Sequence, residues 1–325
     1  MNRRLFLAAA GCVPAILSPV VRSQQPKVYR IGYLHPTDPS DVVYLAFVRA
    51  LKELGYVVGG NTIIEARFAE NKVERLPEMA AELVAKRVDI IVAVAPSAIR
   101  AARAATQTIP IVMSISGGDP VKSGFVTSLA RPGGNTTGMT SGLIDTAPRS
   151  IELLRELIPD LKRVGALRSP ARVDHTAQVD ALLRAAEPSG IAVHAVEAAS
   201  TDEFPAAFDA LVRAGSQAVV VVTGPAMVSG RARLMELAAR HRLPAVYEFP
   251  FFVREGGLVA YGPDNAEMSA RSAIYVDKIL KGANPADLPI EQARKYSLAI
   301  NRKTARTLGL VVPPALLLEA DEVIQ

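Results

Sequence analysis

Tryptophan is absent from this chain of 325 residues, and aromatic residues make up only 5% of it. Cys12 is its single cysteine, so no disulfide can close within the chain and no thiolate cluster can hold a metal. The four histidines, His35, His175, His194 and His241, lack the spacing of a zinc site. No Gly-x-Ser-x-Gly elbow, Walker loop or Gly-x-Gly-x-x-Gly fingerprint occurs. These gaps remove the common signatures of hydrolases, nucleotide-driven enzymes and dinucleotide enzymes. A triad dispersed along the chain stays open, but no catalytic set, metal or cofactor is expected. Nor does any apolar run reach the roughly 20 residues a bilayer requires.

What is present begins at the N-terminus. Arg3 and Arg4 precede the apolar run Leu5 to Val13, and Val21-Arg22-Ser23 suits a signal peptidase. This is the pattern of an export signal over residues 1–23. Arg3-Arg4-Leu5-Phe6-Leu7 also resembles the twin-arginine signal, which carries folded proteins out of the bacterial cytoplasm. Pro14 and Pro19 oppose a membrane anchor. Lipoprotein processing at Gly11-Cys12 is a second alternative, opposed by the short apolar segment before it. Cleavage after Ser23 and a periplasmic location are expected. It would leave 302 residues and lower the formal charge from +5 to +2, so the basic pI is no argument for a nucleic-acid partner.

Half of the residues are hydrophobic, and the length suggests two cores. An internal repeat supports that. Arg30-Ile31-Gly32-Tyr33-Leu34 recurs as Arg163-Val164-Gly165-Ala166-Leu167. Asp89 to Pro96 has its counterpart in Gln217 to Pro225, and Ile109-Pro110-Ile111-Val112 in Leu243-Pro244-Ala245-Val246. Helical spacing fills the intervals, over residues 42–54, 76–86, 98–105, 151–158, 179–186, 204–213 and 231–242. The strands are continuous apolar runs, as parallel sheets covered on both faces require. The expected fold is α/β, with two doubly wound, Rossmann-like lobes joined by a multi-strand hinge. Residues 28–145 plus 258–291 should form lobe one, and residues 146–257 plus 292–325 lobe two.

In such sheets ligands bind beyond the carboxyl ends of the strands, which nominates loops 35–41, 95–98 and 114–121 in lobe one and 168–175, 223–227 and 248–252 in lobe two. His35, Pro36, Ala95, Pro96, Ser116, Gly117, Ser169, Thr223, Gly224 and Met227 lie in these loops. Ser97 is read either as a helix N-cap or as a ligand contact. Asp119 is suited to a ligand amine or to a turn bond. Arg168 and Arg172 are suited to clamping a carboxylate or to a solvated surface pair. Tyr247, Phe249, Phe251 and Phe252 gather four of the 8 Tyr and 9 Phe beside Glu248. They either stack on a planar ligand or pack the hinge, and Tyr261 carries the same two readings.

Several segments resemble the type I periplasmic solute-binding proteins of ABC transporters, in particular the group assigned to tryptophan or tyrosine uptake. They are Arg30 to Leu34, Val88 to Ala93, Ile109 to Val112 with Asp119-Pro120-Val121, Ala130 to Gly138, and Leu298 to Gly309. The resemblance covers almost all of the chain beyond Ser23. It implies a periplasmic-binding-protein type I fold, a bilobal receptor that closes on a small-molecule solute, and a membrane permease as partner. A monomer is expected. Gly224-Pro225-Ala226 replaces the Asp-Asn pair of the tryptophan-type members, which points away from an aromatic amino acid and leaves small carboxylate-bearing or aromatic compounds, with Arg168 as first anchor. A ligand sensor for a membrane signalling receptor and an exported enzyme are the alternative functions.

Overall fold

The computed structural model describes residues 27–39, 42–170 and 173–325. The expected export signal, Asp41 and Arg172 lie outside these residues. The first sheet is built by β1 (Tyr29–His35), α1 (Val42–Glu53), β2 (Thr62–Phe68), α2 (Leu76–Ala85), β3 (Ile90–Val94), α3 (Ala95–Ala105), β4 (Ile111–Ile115) and β5 (Thr136–Thr140). The chain then crosses through residues 141–146 and repeats the pattern. The second series is α4 (Ala147–Leu157), β6 (Arg163–Arg168), α5 (Val173–Ala186), β7 (Ala192–Glu197), α6 (Phe204–Arg213), β8 (Ala218–Val221), α7 (Pro225–Ser229), α8 (Arg231–Arg240), β9 (Ala245–Tyr247), α9 (Pro250–Arg254) and β10 (Val259–Pro263).

Strand order is β2-β1-β3-β4-β5 in the first sheet and β7-β6-β8-β9-β10 in the second, and every neighbouring pair within these runs is parallel where its register is given. The duplication seen in three apolar runs thus extends to five strands per lobe. Beyond β10, α10 (Asn265–Leu280) packs on α1 and β4 of lobe one, and β11 (Glu291–Gln292) joins β5. The chain returns through residues 293–295 to β12 (Tyr296–Asn301), antiparallel to β10. It ends with α11 (Arg302–Thr307), α12 (Pro314–Glu319) and β13 (Glu322–Ile324).

One expectation needs correction. The chain does not return to lobe one at residue 258, because the strand there is β10, the fifth of the second sheet, bonded to β9 and β12. The return falls at Asp264 instead. Its equivalent in lobe one, β5, reads Thr-Thr-Gly-Met-Thr and has no apolar run to betray it, although all five residues are buried. Without β5 each lobe seemed to need a strand from beyond residue 257.

The central strands are apolar because both faces are covered. β3 sends Ile90, Val92 and Val94 into one core and Ile91 and Ala93 into the other, and β8 divides Val220 from Val219 and Val221 in the same way. The helices supply the matching stripes. In α6, Pro205 in the first turn suits a helix start, and Phe204, Ala207, Phe208 and Leu211 form one buried face at helical spacing. None of the helices among the described residues is long and apolar enough to cross a membrane.

Two glycines let the fifth strands seat. A Cβ on Gly138, whose φ is +129°, would lie 2.2 Å from the Met113 carbonyl oxygen, and one on Gly262 would lie 1.9 Å from that of Glu248. Neither neighbour can yield without breaking the strand beside it. Gly262→Ala is therefore expected to lower the unfolding free energy by about 3 kcal/mol in a urea titration. Gly60→Ala, where the new methyl meets only an ordinary contact at 3.4 Å, is expected to change it by no more than about 0.5 kcal/mol.

Candidate functional site

In lobe one the carboxyl ends of β1, β3 and β4 carry the nominated loops. His35 closes β1 and is 2% exposed; its Nδ1 lies 3.1 Å from the Thr37 N–H and 2.9 Å from the Thr37 hydroxyl. Its ring stacks over Tyr33 at 5.9 Å and meets Phe68 at 6.0 Å. The carbonyls of His35, Pro36 and Thr37 accept the N–H groups of Ala69, Asn71 and Glu70, so the turn after β2 fixes the turn after β1.

At the end of β3, Ala95 has φ +67°, a left-handed value for a residue with a Cβ, directly after a register shift at Ala93 and Val94. Such strain persists where the surroundings impose it. It starts α3 at Ala95, with Val94 as an N-cap that offers no side-chain bond. Ser97 therefore sits inside the first turn and is not the N-cap. Pro96 has no N–H to leave unsatisfied there.

The third loop is pinned from behind. Ser114 Oγ donates to Ser269 Oγ at 3.2 Å, Ser116 Oγ to the Gly118 carbonyl at 3.3 Å, and Thr140 Oγ1 to the same carbonyl at 3.1 Å. Ser141 Oγ donates to the carbonyl of Gly117, which has φ +80°. Asp119 Oδ1 accepts the N–H groups of Val121 and Lys122 at 2.9 and 3.2 Å, the turn bond rather than an open carboxylate.

In lobe two a buried polar set joins three loops. Glu248, 6% exposed, accepts Gln178 Nε2 and the Thr223 N–H, each at 3.1 Å. His175 Nδ1 accepts the Ser169 N–H at 3.1 Å, and both residues are buried. A Cβ on Gly224 would lie 3.1 Å from His175 Cε1 and 3.4 Å from Ser169 Cβ, so a side chain there would press on His175. Beside Glu248 and Gln178 is a cavity with about 10 Å³ of room for the centre of a water molecule, walled by Leu143, Val220 and Tyr247. That is the size of a water site and too small for a solute.

Other nominated side chains serve the structure. Arg168 Nη2 pairs with Glu197 across β6 and β7, and its Nη1 donates to Thr176 at 2.9 Å, which is the surface-pair reading. Met227 is fully buried in the second core. Tyr247 stacks on Phe252 at 4.8 Å and burial raises its hydroxyl pKa, so this pair packs the core. Phe249 and Phe251 stack at 5.8 Å and remain half-buried. Tyr261 stacks on Tyr296 at 5.8 Å, and the Tyr296 hydroxyl donates to the Ser141 carbonyl at the crossing between lobes, which is hinge packing.

Sequence reasoning passed over Gln178, Ser141, Tyr44 and Phe68. Gln178 and Tyr44 sit within helices, Ser141 marks a crossing that had no apolar signal, and Phe68 ends a strand whose partly exposed face hides its periodicity. Tyr44 meets Phe68 edge-on at 5.1 Å, which extends the His35 ring cluster to the rim of the sheet.

Glu248→Ala would strand the Thr223 N–H and the Gln178 amide in a buried setting. A loss of about 2 kcal/mol in unfolding free energy is expected from chemical denaturation, with Glu248→Gln, which keeps an acceptor oxygen, losing less.

The family model described as ABC transporter substrate binding protein matches residues 36–324. The tyrosine-binding protein of Clostridioides difficile (strain R20291) is 27% identical over 276 residues, spanning 85% of this chain and 78% of that protein. The structure of the ABC domain in complex with L-Trp from Streptococcus pneumonia is matched with a TM-score of 0.84 at 28% identity, over 92% of this chain and 100% of that one. The ligand-free, open structure of a substrate binding protein with adhesive properties from Clostridium difficile gives 0.74 at 25% identity, over 92% and 100%. With almost its whole described length matched, the chain belongs to the ABC transporter substrate-binding proteins and is a binding protein rather than an enzyme.

Proposed function

We propose that this chain is an exported, periplasmic receptor that closes its two lobes on a small aromatic solute bearing a carboxylate, and delivers it to the membrane permease of an ABC importer. The observation that carries this reading is the family match over residues 36–324, joined to two parallel sheets linked by three crossings. The tyrosine-binding relative and the L-Trp complex of the structural neighbour support an aromatic body with a carboxylate.

The loops divide the recognition. The strained turn at Ala95 presents the first-turn N–H groups and the Ser97 hydroxyl of α3, and a helix N-terminus without a side-chain cap favours an anion. The half-buried rings of Phe249 and Phe251, and the cluster of His35, Tyr44 and Phe68, offer flat apolar surface. Arg168, held by Glu197, is left outside this scheme. Gly224 offers no carboxylate to receive an ammonium, and a side chain added there would press on His175. The preferred solute is therefore an aromatic acid that needs no ammonium.

Closure follows from differential affinity. A solute that touches both lobes only in the closed form shifts the population toward it, by as much as its affinities for the two forms differ.

A thermal-shift series with L-tyrosine, L-tryptophan and their deaminated acids tests the reading. The deaminated acids are expected to stabilise the protein at least as well as the amino acids and to be recovered chemically unchanged. At about 100 times its dissociation constant a ligand adds about 2.7 kcal/mol. Ser97→Ala is expected to weaken binding about fivefold by calorimetry, roughly the worth of one hydrogen bond. No stabilisation by any aromatic acid, or conversion of one, would refute the proposal.

A further inference from the structure

The outer edge of the first sheet is β2, and its hydrogen-bonding pattern fixes which of its groups face outward. Tyr29 N–H donates to the Asn61 carbonyl at one end of the β1–β2 ladder, and Ala69 N–H to the His35 carbonyl at the other. With the register Tyr29 to Thr62 through His35 to Phe68, Ile63, Glu65 and Arg67 turn their backbone groups toward β1. Ile64, Ala66 and Phe68 turn theirs away from the sheet. Thr62 is also outward, but its N–H donates to the Val57 carbonyl and its own carbonyl accepts the Gly59 N–H. The edge is thereby closed at one end, and among the described residues no backbone group pairs with the outward groups of Ile64, Ala66 and Phe68.

We propose that this edge is a self-association surface, on which β2 of a second copy of the chain pairs antiparallel about a two-fold axis at Ala66. Parity requires the axis to fall on a residue, and the charges choose which. An antiparallel pair exchanges both hydrogen bonds at alternate residue pairs, and a two-fold axis at Ala66 places those pairs at Ala66 with itself and Ile64 with Phe68 of the second copy. Every outward group then meets an outward group.

The side chains agree with the same register. Glu65 stands opposite Arg67 of the second copy in the closer, non-hydrogen-bonded pair, where opposite charges attract across strands. An axis moved by one residue in either direction would set Glu65 against Glu65, or Arg67 against Arg67. Ile64 and Phe68, which face the apolar core side, become cross-strand neighbours.

The surface around the edge is apolar where a monomer has no use for it. Val57, Val58 and Ile63 are 51%, 52% and 37% exposed at its closed end. Val42 and Leu45, 60% and 52% exposed, flank Tyr44, whose ring lies against Phe68. Within one chain, Arg67 Nη1 donates to the Ala66 carbonyl at 3.0 Å. Ala66 N–H of the second copy would take that place and turn Nη1 toward the partner's Glu65, while Arg67 Nε keeps Glu82 at 2.6 Å and Glu65 keeps Arg30 at 2.5 Å. An unprotected edge is a template for such pairing. Because β2 belongs to lobe one alone, the crossings stay free to bend. The sequence reading expects a monomer, and the edge is the observation that sets this proposal against it.

Sedimentation or light scattering of the full chain over a concentration series provides the test. A particle of twice the monomer mass is expected to predominate as concentration rises. Ala66→Pro removes an outward N–H that β1 does not use, and is expected to halve the mass while circular dichroism and melting stay those of a folded protein. Glu65→Gln, which removes the cross-strand charge pair but keeps a hydrogen-bond acceptor for Arg30, is expected to raise the concentration at which the doubled mass appears. Monomer at every concentration would overturn the proposal, as would a dimer that survives Ala66→Pro. Monomer with the edge free to capture an extended peptide of another protein would also overturn it.

Discussion

A parallel strand cannot be joined to its neighbour by a tight turn, and most of this molecule follows from that. Each strand must be followed by a crossover on one face of the sheet, so all the turns that leave the strands gather at one end. Applied twice, through the β2-β1-β3-β4-β5 order and its repeat in β7-β6-β8-β9-β10, the constraint creates two loop sets. The crossovers bury both faces of the sheets, and this is why β3 and β8 are apolar without alternation. A site made of loops at strand ends is then a property of the connectivity before any particular side chain is chosen.

The joint between the lobes is made by the same economy. The chain passes from one sheet to the other at residues 141–146, at Asp264 and at residues 293–295, and the passages are tied together. Asp264 caps α10 by accepting the Ala266 and Glu267 N–H groups through Oδ1, while its Oδ2 meets Lys295 Nζ at 3.2 Å and its N–H donates to the Lys295 carbonyl. Gln292 donates to Asp145, and Tyr296 reaches the Ser141 carbonyl. The exposed ion pair contributes little by itself. What the set does is hold the three passages in one place, so that a change of lobe angle is confined to a few residues.

Those features of the fold that rest on apolar burial could be read from the chain, and the features that rest on backbone geometry could not. The repeat Arg30 to Leu34 with Arg163 to Leu167 announces β1 and β6 because both are central strands. β7 is hidden by partial exposure along Ala192–Glu197, and β5 by the hydroxyls and glycine of Thr136–Thr140, which are buried for reasons of packing and of bonds such as Thr137 Oγ1 to the Leu288 carbonyl. Ser97 was open to two readings because the helix start depends on the left-handed turn at Ala95, and alanine carries no sign of such a turn. At Arg168 the two readings were separated only by where Glu197 falls on the neighbouring strand, a matter of register across 29 residues.

The turn at Gly224 is braced independently of the strands behind it. β8 and β9 would form in the same way whatever residue follows Thr223, since their cores lie behind the turn. His175 enters the turn from the first part of α5 and takes the Ser169 N–H, and this brings its Cε1 to within 3.1 Å of the point where a Cβ on residue 224 would stand. A side chain in that place would press on the imidazole, which would have to give by a few tenths of an ångström. His175 thus holds two loops together as a buried ring, and Glu248, bonded to the Thr223 N–H and to Gln178, fastens the third.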